Sequence, residues 1–147
     1  MDHNNIRLRA IGQLDRLPHF VREQLDTTIA SLDQNSGTTL HLALSYGGRT
    51  ELVDAARAIA EKVKRGQLDP ETVSEQTLVD HLYTAGTPDP DLLIRTSGEM
   101  RVSNFMLWQI SYAELVVTER FWPDFGEADL IAALEEFAGR DRRFGNV

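Results

Sequence analysis

Residues 94–105 carry the densest group of chemically useful side chains in the sequence. Arg95 follows directly on an apolar run, and Arg101 and Ser103 come soon after it. Guanidinium groups offer a rigid fork of donors that matches phosphate oxygens, and hydroxyls and glycine-exposed amides complete a phosphate cradle. A polar loop that caps a helix, with Ser103 or Asn104 as the cap, explains the same residues. The chemistry of this segment alone leaves both interpretations open.

Three further motifs give weaker signals when each is taken alone. Ser-Tyr-Gly-Gly-Arg at 45–49 lets a backbone approach a ligand closely, but a tight strand-to-helix turn explains it better. Glu114 stands before an apolar run and offers oxygen ligands to Mg²⁺, although a single Glu is usually a solvated charge. The arginines of the tail at 140–143 suit the C-terminal end of a helix without any further role.

Composition excludes several classes of function. The chain has 147 residues, which predicts one domain over 1–147. Its formal net charge of −8 argues against a nucleic-acid binder, which needs a broad basic surface. There are no cysteines, and the four histidines lack metal-ligand spacing. No apolar run is long enough for a membrane span and no secretory signal precedes the domain, so the predicted location is cytoplasmic.

Alternating periodicities predict the elements that position these motifs. Period-two alternation and short apolar runs indicate strands, and apolar stripes at helical spacing indicate helices. The predicted order is strand 6–10, helix 17–32, strand 39–46, helix 52–63, a helix start at Asp69-Pro70, helix 74–84, strand 92–94, a short helix, strand 114–119, and a last helix with Leu130, Leu134, Phe137 and Ala138 on one face. This order predicts an α/β fold with a mostly parallel sheet and helices on both faces.

Ligands of open parallel sheets bind beyond the carboxyl ends of the strands. We expect three segments to meet at that edge, because each adjoins a predicted strand. They are the Ser-Tyr-Gly-Gly-Arg motif at 45–49, the loop at 95–99, and the segment that leads into Tyr112-Ala113-Glu114.

The motifs, taken together and in order, resemble one family. Ser-Tyr-Gly-Gly-Arg at 45–49, Ile-Arg-Thr-Ser-Gly-Glu at 94–99 and Arg-Val-Ser-Asn-Phe at 101–105 are followed by Trp-Pro-Asp-Phe at 122–125 and Arg-Arg-Phe-Gly at 142–145. The sequence between Ile6 and Gly145 is similar to the cis-prenyltransferases, the family of undecaprenyl diphosphate synthase-like isoprenyl transferases.

The resemblance implies a reaction and a set of site residues. Such enzymes condense isopentenyl diphosphate with an allylic diphosphate, such as farnesyl diphosphate, to form Z-polyprenyl diphosphates with Mg²⁺. It implies a dimer, or pairing with a full-length homologue, and peripheral membrane contact through the lipid product. The residues that it implies are Arg95, Arg101, Val102 and Ser103 for the diphosphate of isopentenyl diphosphate, Glu114 for Mg²⁺, and Arg143 and Gly145 for a tail that reaches the neighbouring subunit's active site.

The sequence departs from the family in one large respect. No Asp-Gly-Asn occurs in it, and the family's catalytic aspartate lies in such a loop near the N-terminus, so we expect an N-terminally truncated domain whose catalytic residue is unknown. Smaller departures are Ser45, where many members carry asparagine, Met100, where some carry histidine, and Gln13, where members often carry aspartate. Three hypotheses follow: a cis-prenyltransferase that is incomplete or completed by a partner, a non-catalytic subunit that keeps the diphosphate site, and a fragment without function alone.

Overall fold

The computed structural model describes residues 4–141, which divide into two compact units. The first unit runs to Gly86 and the second begins at Thr87. Both units combine strands and helices, and both strand pairs are parallel. The predicted α/β class with parallel strands is therefore confirmed, and the four strands pair as two two-stranded sheets.

The first unit is built on strands β1 (Arg7–Ile11) and β2 (Thr39–Ala43), which pair in parallel from Arg7↔Thr39 to Ile11↔Ala43. Helix α1 (His19–Ser31) connects them. Leu8, Leu25 and Leu32 form the buried cluster between α1 and the sheet. Burial of each such side chain contributes roughly 1.5–3 kcal/mol, so this apolar contact fixes α1 on β1.

Helix α2 (Gly48–Lys64) and the short helix α3 (Glu75–Val79) complete this unit. The helix predicted from residue 74 begins there, and a capping box between Ser74 and Thr77 starts it. The helix was predicted to extend to residue 84 but ends at Val79, so the prediction was wrong for residues 80–84. The backbone amide of Tyr83 donates to the Glu51 carboxylate (2.8 Å), so it is not used in a helical bond, and the chain turns at 80–86 instead.

The second unit contains β3 (Leu92–Arg95) and β4 (Glu114–Val117), parallel from Leu92↔Glu114 to Arg95↔Val117. Helix α4 (Glu127–Ala138) follows β4 and packs on it. The short helix predicted between these strands does not form, and residues 96–113 make loops and turns. Positive φ angles at Ser103 (47°) and Asn104 (64°) break the right-handed helical conformation there.

The apolar face predicted for the last helix is mostly exposed in this unit. Leu130 and Leu134 of that face are 42% and 47% exposed, whereas Ala133 and Val116 are buried. The helix therefore meets β4 through its small Ala133. No helix within residues 4–141 is long and apolar enough to cross a membrane.

Candidate functional site

The carboxyl ends of β3 and β4 hold the loop that the sequence singled out. Arg95 is the last residue of β3, and its carbonyl accepts a hydrogen bond from the amide of Thr118 (2.9 Å). Beyond the strands the pairing continues, because the amide of Ser97 donates to the carbonyl of Arg120 (2.7 Å) and that of Gly98 to the carbonyl of Thr118 (2.9 Å). The start of the loop is thus fixed to rigid elements.

Arg95 and Arg101 converge on one carboxylate within this loop. The Nη2 atom of Arg95 pairs with Oε2 of Glu99, and Nη2 of Arg101 pairs with Oε1. A guanidinium group carries five N–H donors, so each arginine keeps donors for a further acceptor. The Nε of Arg95 is buried and has no hydrogen-bond partner among the described residues. Two guanidinium groups therefore meet at one carboxylate, and their remaining donors suit a multiply charged anion.

The backbone of the loop adopts conformations that side chains disfavour. Ser97, Ser103, Asn104 and Met106 have positive φ angles of 71°, 47°, 64° and 46°. Each costs of order 1 kcal/mol for a residue other than glycine. Strained backbone of this kind clusters at binding and catalytic sites.

The other residues predicted for the diphosphate also lie in this loop. Ser103 is exposed, and Val102 is half-buried, with its carbonyl accepting a hydrogen bond from the Phe105 amide (3.0 Å). The structure thus places Arg95, Arg101, Val102 and Ser103 in one loop. Arg143 and Gly145 lie outside the described residues.

The structure does not place Glu114 at the same edge. Glu114 is the first residue of β4 and pairs with Leu92, so it lies at the amino end of the strands, about 10 Å along the strand from the level of Arg95. Our expectation that the segment leading into Glu114 adjoins the carboxyl ends was wrong. A residue that precedes a parallel strand must lie at its amino end.

Glu114 is held there by an ion pair at the end of α4. Arg140 donates from Nη1 to its Oε2 (2.8 Å), and from Nη2 to Glu136. The hydrogen bonds to Glu114 and Glu136, in that order, raise the pKa of Arg140. Among residues 4–141 no group of three or more His, Cys, Asp or Glu side chains is arranged to hold a metal ion.

The Ser45–Arg49 segment of the first unit is fixed by a buried network that the sequence did not reveal. Glu51 is 1% exposed, and its Oε2 accepts from the Tyr46 hydroxyl at 2.5 Å. Tyr83 donates its hydroxyl to Asp54. Burial first, and then Asp54, raise the pKa of Tyr83 to about 12, while the Tyr83 hydroxyl lowers the pKa of Asp54. The signal in the sequence was an acidic residue in the first turn of a helix, which is too common to single out.

Asp54 and Tyr83 also border a cavity of about 500 Å³ next to the end of β1. Gln13, one of the departures from the family pattern, lines it and donates from Nε2 to Asp54 (3.2 Å). The amide can donate to a carboxylate, whereas an aspartate at that position would face Asp54 with a like charge.

Comparison with known proteins gives one consistent result. The Prenyltransf family model, described as undecaprenyl diphosphate synthase, matches residues 1–145. An isoprenyl transferase of Porphyromonas gingivalis is 53% identical over 144 residues, which are 98% of this chain and 57% of that protein. An isoprenyl transferase of Bacillus subtilis is 48% identical over 143 residues, which are 97% of this chain and 55% of that protein. The chain thus spans little more than half the length of these curated relatives.

Solved structures agree with the sequence comparison. The crystal structure of lavandulyl diphosphate synthase from Lavandula x intermedia, in complex with dimethylallyl diphosphate, is 44% identical with a TM-score of 0.94. The alignment covers 96% of this chain and 61% of that one. A probable undecaprenyl diphosphate synthase from Campylobacter jejuni is 35% identical with a TM-score of 0.85, over 99% of this chain and 66% of the other.

Proposed function

The chain belongs to the cis-prenyltransferase family, the isoprenyl transferases related to undecaprenyl diphosphate synthase, and on this premise we propose that it takes part in forming Z-polyprenyl diphosphates. The substrates are isopentenyl diphosphate and an allylic diphosphate of the farnesyl diphosphate type. The convergence of Arg95 and Arg101 on one point at the carboxyl end of β3 is the observation that carries this proposal.

The reaction joins two isoprenoids with loss of diphosphate. The double bond of isopentenyl diphosphate attacks the allylic carbon that bears the diphosphate, a carbon–carbon bond forms, and the carbon–oxygen bond breaks. The diphosphate leaves with the electron pair, and a proton is lost from isopentenyl diphosphate to restore a double bond. The diphosphate of isopentenyl diphosphate is not the leaving group, so the arginines hold the nucleophile in position and do not assist departure.

Arg95, Arg101 and Ser103 are the residues that we assign to this diphosphate. Two guanidinium groups offset much of its charge, and bonds between ionised partners contribute about 1.5–3 kcal/mol each. The amides and the hydroxyl of the loop supply further donors. Arg143 and Gly145 stay predictions, since they lie outside the described residues.

Magnesium is the cofactor that we propose with this reaction. Mg²⁺ is bound by carboxylate and phosphate oxygens, and it supplies positive charge that stabilises a departing diphosphate. Residues 4–141 do not present a preformed set of ligands. Glu114 as a ligand stays a prediction, because Arg140 engages it at the opposite end of the strand pair from the arginine loop.

A second function rests on the arginine loop alone. Arg95 and Arg101 converge on one carboxylate and keep further donors, so this loop also suits a non-catalytic subunit that binds isopentenyl diphosphate beside a longer homologue. In either role we infer a cytoplasmic protein that forms a homodimer or pairs with such a homologue. We also infer peripheral membrane contact through the lipid product.

Incorporation of labelled isopentenyl diphosphate into butanol-extractable product tests both functions. The purified chain is assayed with farnesyl diphosphate and Mg²⁺, with and without a longer relative, after circular dichroism shows that it is folded. Incorporation by the chain alone supports the enzyme. Stimulation of the relative by the chain, lost with Arg95→Gln but kept with the exposed Arg65→Gln, supports the subunit. No incorporation and no stimulation would contradict both.

A further inference from the structure

Glu99 bridges the two arginines of the loop with a single carboxylate. Its Oε2 pairs with Arg95 and its Oε1 with Arg101, so both of its oxygens are used by guanidinium groups. Guanidinium groups bind carboxylates and phosphates through the same N–H donors and with similar geometry. The Glu99 carboxylate therefore occupies a position that also suits one phosphate group.

The Glu99 carboxylate satisfies only part of what these arginines can bind. Each guanidinium group has five N–H donors, whereas one carboxylate offers two oxygens to both of them. The Nε of Arg95 is buried and has no hydrogen-bond partner among residues 4–141, and a buried donor without an acceptor is unfavourable. A diphosphate carries more oxygens and more charge than a carboxylate. It is therefore the stronger partner for this pair of arginines.

Glu99 lies where its side chain can turn away from the arginines. The amides of Ser97 and Gly98 hold the start of the loop beside residues 118–120, and Glu99 follows them. Its side chain is 34% exposed, and the neighbouring Met100 is 83% exposed. Rotation of the Glu99 side chain into solvent therefore uncovers both guanidinium groups without displacing a buried residue.

A carboxylate of the same chain competes unequally with different anions. The backbone keeps Glu99 near the arginines, so it competes as if it were present at high local concentration. An anion from solution must in addition lose its freedom of movement when it binds. A singly charged carboxylate in solution offers no more oxygens or charge than Glu99 does, and it is therefore the weaker competitor, whereas a diphosphate offers more of both.

We propose that Glu99 determines which anions bind in the Arg95–Ser103 loop, because a diphosphate replaces its carboxylate on the two arginines and a singly charged anion does not. The inference rests on the proposed diphosphate site and adds an internal competitor to it. Removing the Glu99 carboxylate should therefore tighten the binding of diphosphate. If Glu99 only positioned the arginines, its removal would weaken that binding instead.

Calorimetric titration of the full chain with inorganic diphosphate in EDTA measures this competition. Ion pairs between partly exposed groups each correspond to roughly a threefold change in an equilibrium constant, and two such pairs are broken when diphosphate replaces Glu99. We therefore expect Glu99→Gln to bind diphosphate about tenfold more tightly than the unsubstituted chain. Circular dichroism checks that the variant is folded. Unchanged or weaker binding by Glu99→Gln would overturn the inference.

Glu119→Gln is the matched control for the loss of a negative charge alone. The Glu119 carboxylate also lies against the loop, because a Cβ on Gly98 would be 2.5 Å from its Oε2. Within residues 4–141 it forms no ion pair with either arginine of the loop. Its repulsion of an anion is screened by salt, so we expect Glu119→Gln to tighten diphosphate binding by no more than about twofold. Equal tightening by Glu99→Gln and Glu119→Gln would show that Glu99 acts through its charge alone and would contradict the replacement.

A second titration compares sodium acetate with sodium chloride at equal ionic strength to test the selectivity. Relative to chloride, acetate should weaken diphosphate binding to Glu99→Gln and leave binding to the unsubstituted chain unchanged. An equal effect of acetate on both proteins would contradict the exclusion of singly charged anions by Glu99. If neither protein binds diphosphate in any buffer, the proposed diphosphate site itself is refuted.

Discussion

Replacing Glu51 by glutamine tests the buried network at the start of α2. Its side chain is 1% exposed, and its two oxygens accept from the Tyr46 hydroxyl (2.5 Å) and from the Tyr83 amide (2.8 Å). Glutamine keeps the shape of the side chain but has only one acceptor oxygen. Its amide nitrogen then faces one of the two donors. Facing Tyr46 it can donate to the hydroxyl oxygen, but the Tyr46 O–H still loses the acceptor that it has in Glu51.

The expected loss follows from these two hydrogen bonds. A buried donor without an acceptor costs about 1–3 kcal/mol, and the remaining bond to a neutral oxygen is weaker by about 1 kcal/mol. We expect the free energy of unfolding of Glu51→Gln to fall by about 2–4 kcal/mol. For a chain of this size, 1 kcal/mol corresponds to about 3 °C, so Tm should fall by about 6–12 °C.

Urea unfolding followed by circular dichroism measures this loss against a control on the same helix. Glu61→Gln removes the same charge from α2, where the side chain is 56% exposed and lies 3.8 Å from Arg65. Exposed pairs of this kind contribute less than about 1 kcal/mol. The reasoning is refuted if Glu51→Gln destabilises the chain no more than Glu61→Gln does.

Further predictions concern acid–base behaviour and backbone strain. Tyr83 has a pKa raised to about 12 in the folded chain. The free energy of unfolding therefore falls as pH rises from about 10 to about 12. Urea unfolding of Tyr83→Phe at those pH values should lack this fall. Asp54 has a lowered pKa, so it contributes stability that is lost as pH falls through that pKa. Carboxyl NMR of Tyr83→Phe should show the pKa of Asp54 returning towards its ordinary value. An unchanged pKa would contradict the hydrogen bond from Tyr83 to Asp54. Gly98 and Gly66 share a φ of +69°, so alanine at either position should cost about 1 kcal/mol in urea unfolding. Only a Cβ on Gly98 would also meet the Glu119 carboxylate, at 2.5 Å, so the loss in Gly98→Ala should be the larger of the two; equal losses would contradict that contact.

Periodicity predicted the elements where local pattern and packing agree. The alternation at 6–10 and the stripe through Leu25 and Leu32 gave β1 and α1, because these leucines form the cluster that joins the two. The Asp69-Pro70 start was also confirmed, although as a single 3₁₀ turn over Pro70–Thr72 capped by Asp69. Local rules suffice there because the stabilising partners are near in sequence.

The predictions of secondary structure failed where residues distant in sequence decide the local conformation. The end of α3 depends on the Tyr83 amide reaching Glu51, which lies 32 residues earlier. The missing helix between β3 and β4 depends on left-handed residues such as Ser103, which propensity does not predict. In contrast, the position of Glu114 was within reach of the sequence, since a residue at the start of a parallel strand lies at its amino end.

The candidate site was predictable in its residues but not in its geometry. The pattern of Arg95, Arg101 and Ser103 after a strand left an anion site and a helix-capping loop both open, and the structure places these residues in one loop. Glu99 forms ion pairs with both arginines only because of the path of the loop. The approach of Glu119 depends on the register of β3 and β4, which fixes Gly98 beside Thr118. Neither the loop path nor the register is encoded in residue spacing.

Equilibrium binding of labelled isopentenyl diphosphate to the folded chain tests the central claim most directly. If the Arg95–Ser103 loop is the diphosphate site, the unsubstituted chain and the charge-matched control Arg65→Gln should both bind isopentenyl diphosphate. It predicts that Arg95→Gln and Arg101→Gln each bind about 10- to 100-fold more weakly, since each loses a charged hydrogen bond of about 1.5–3 kcal/mol. Equal affinity for all four proteins would contradict the assignment of this loop as the diphosphate site.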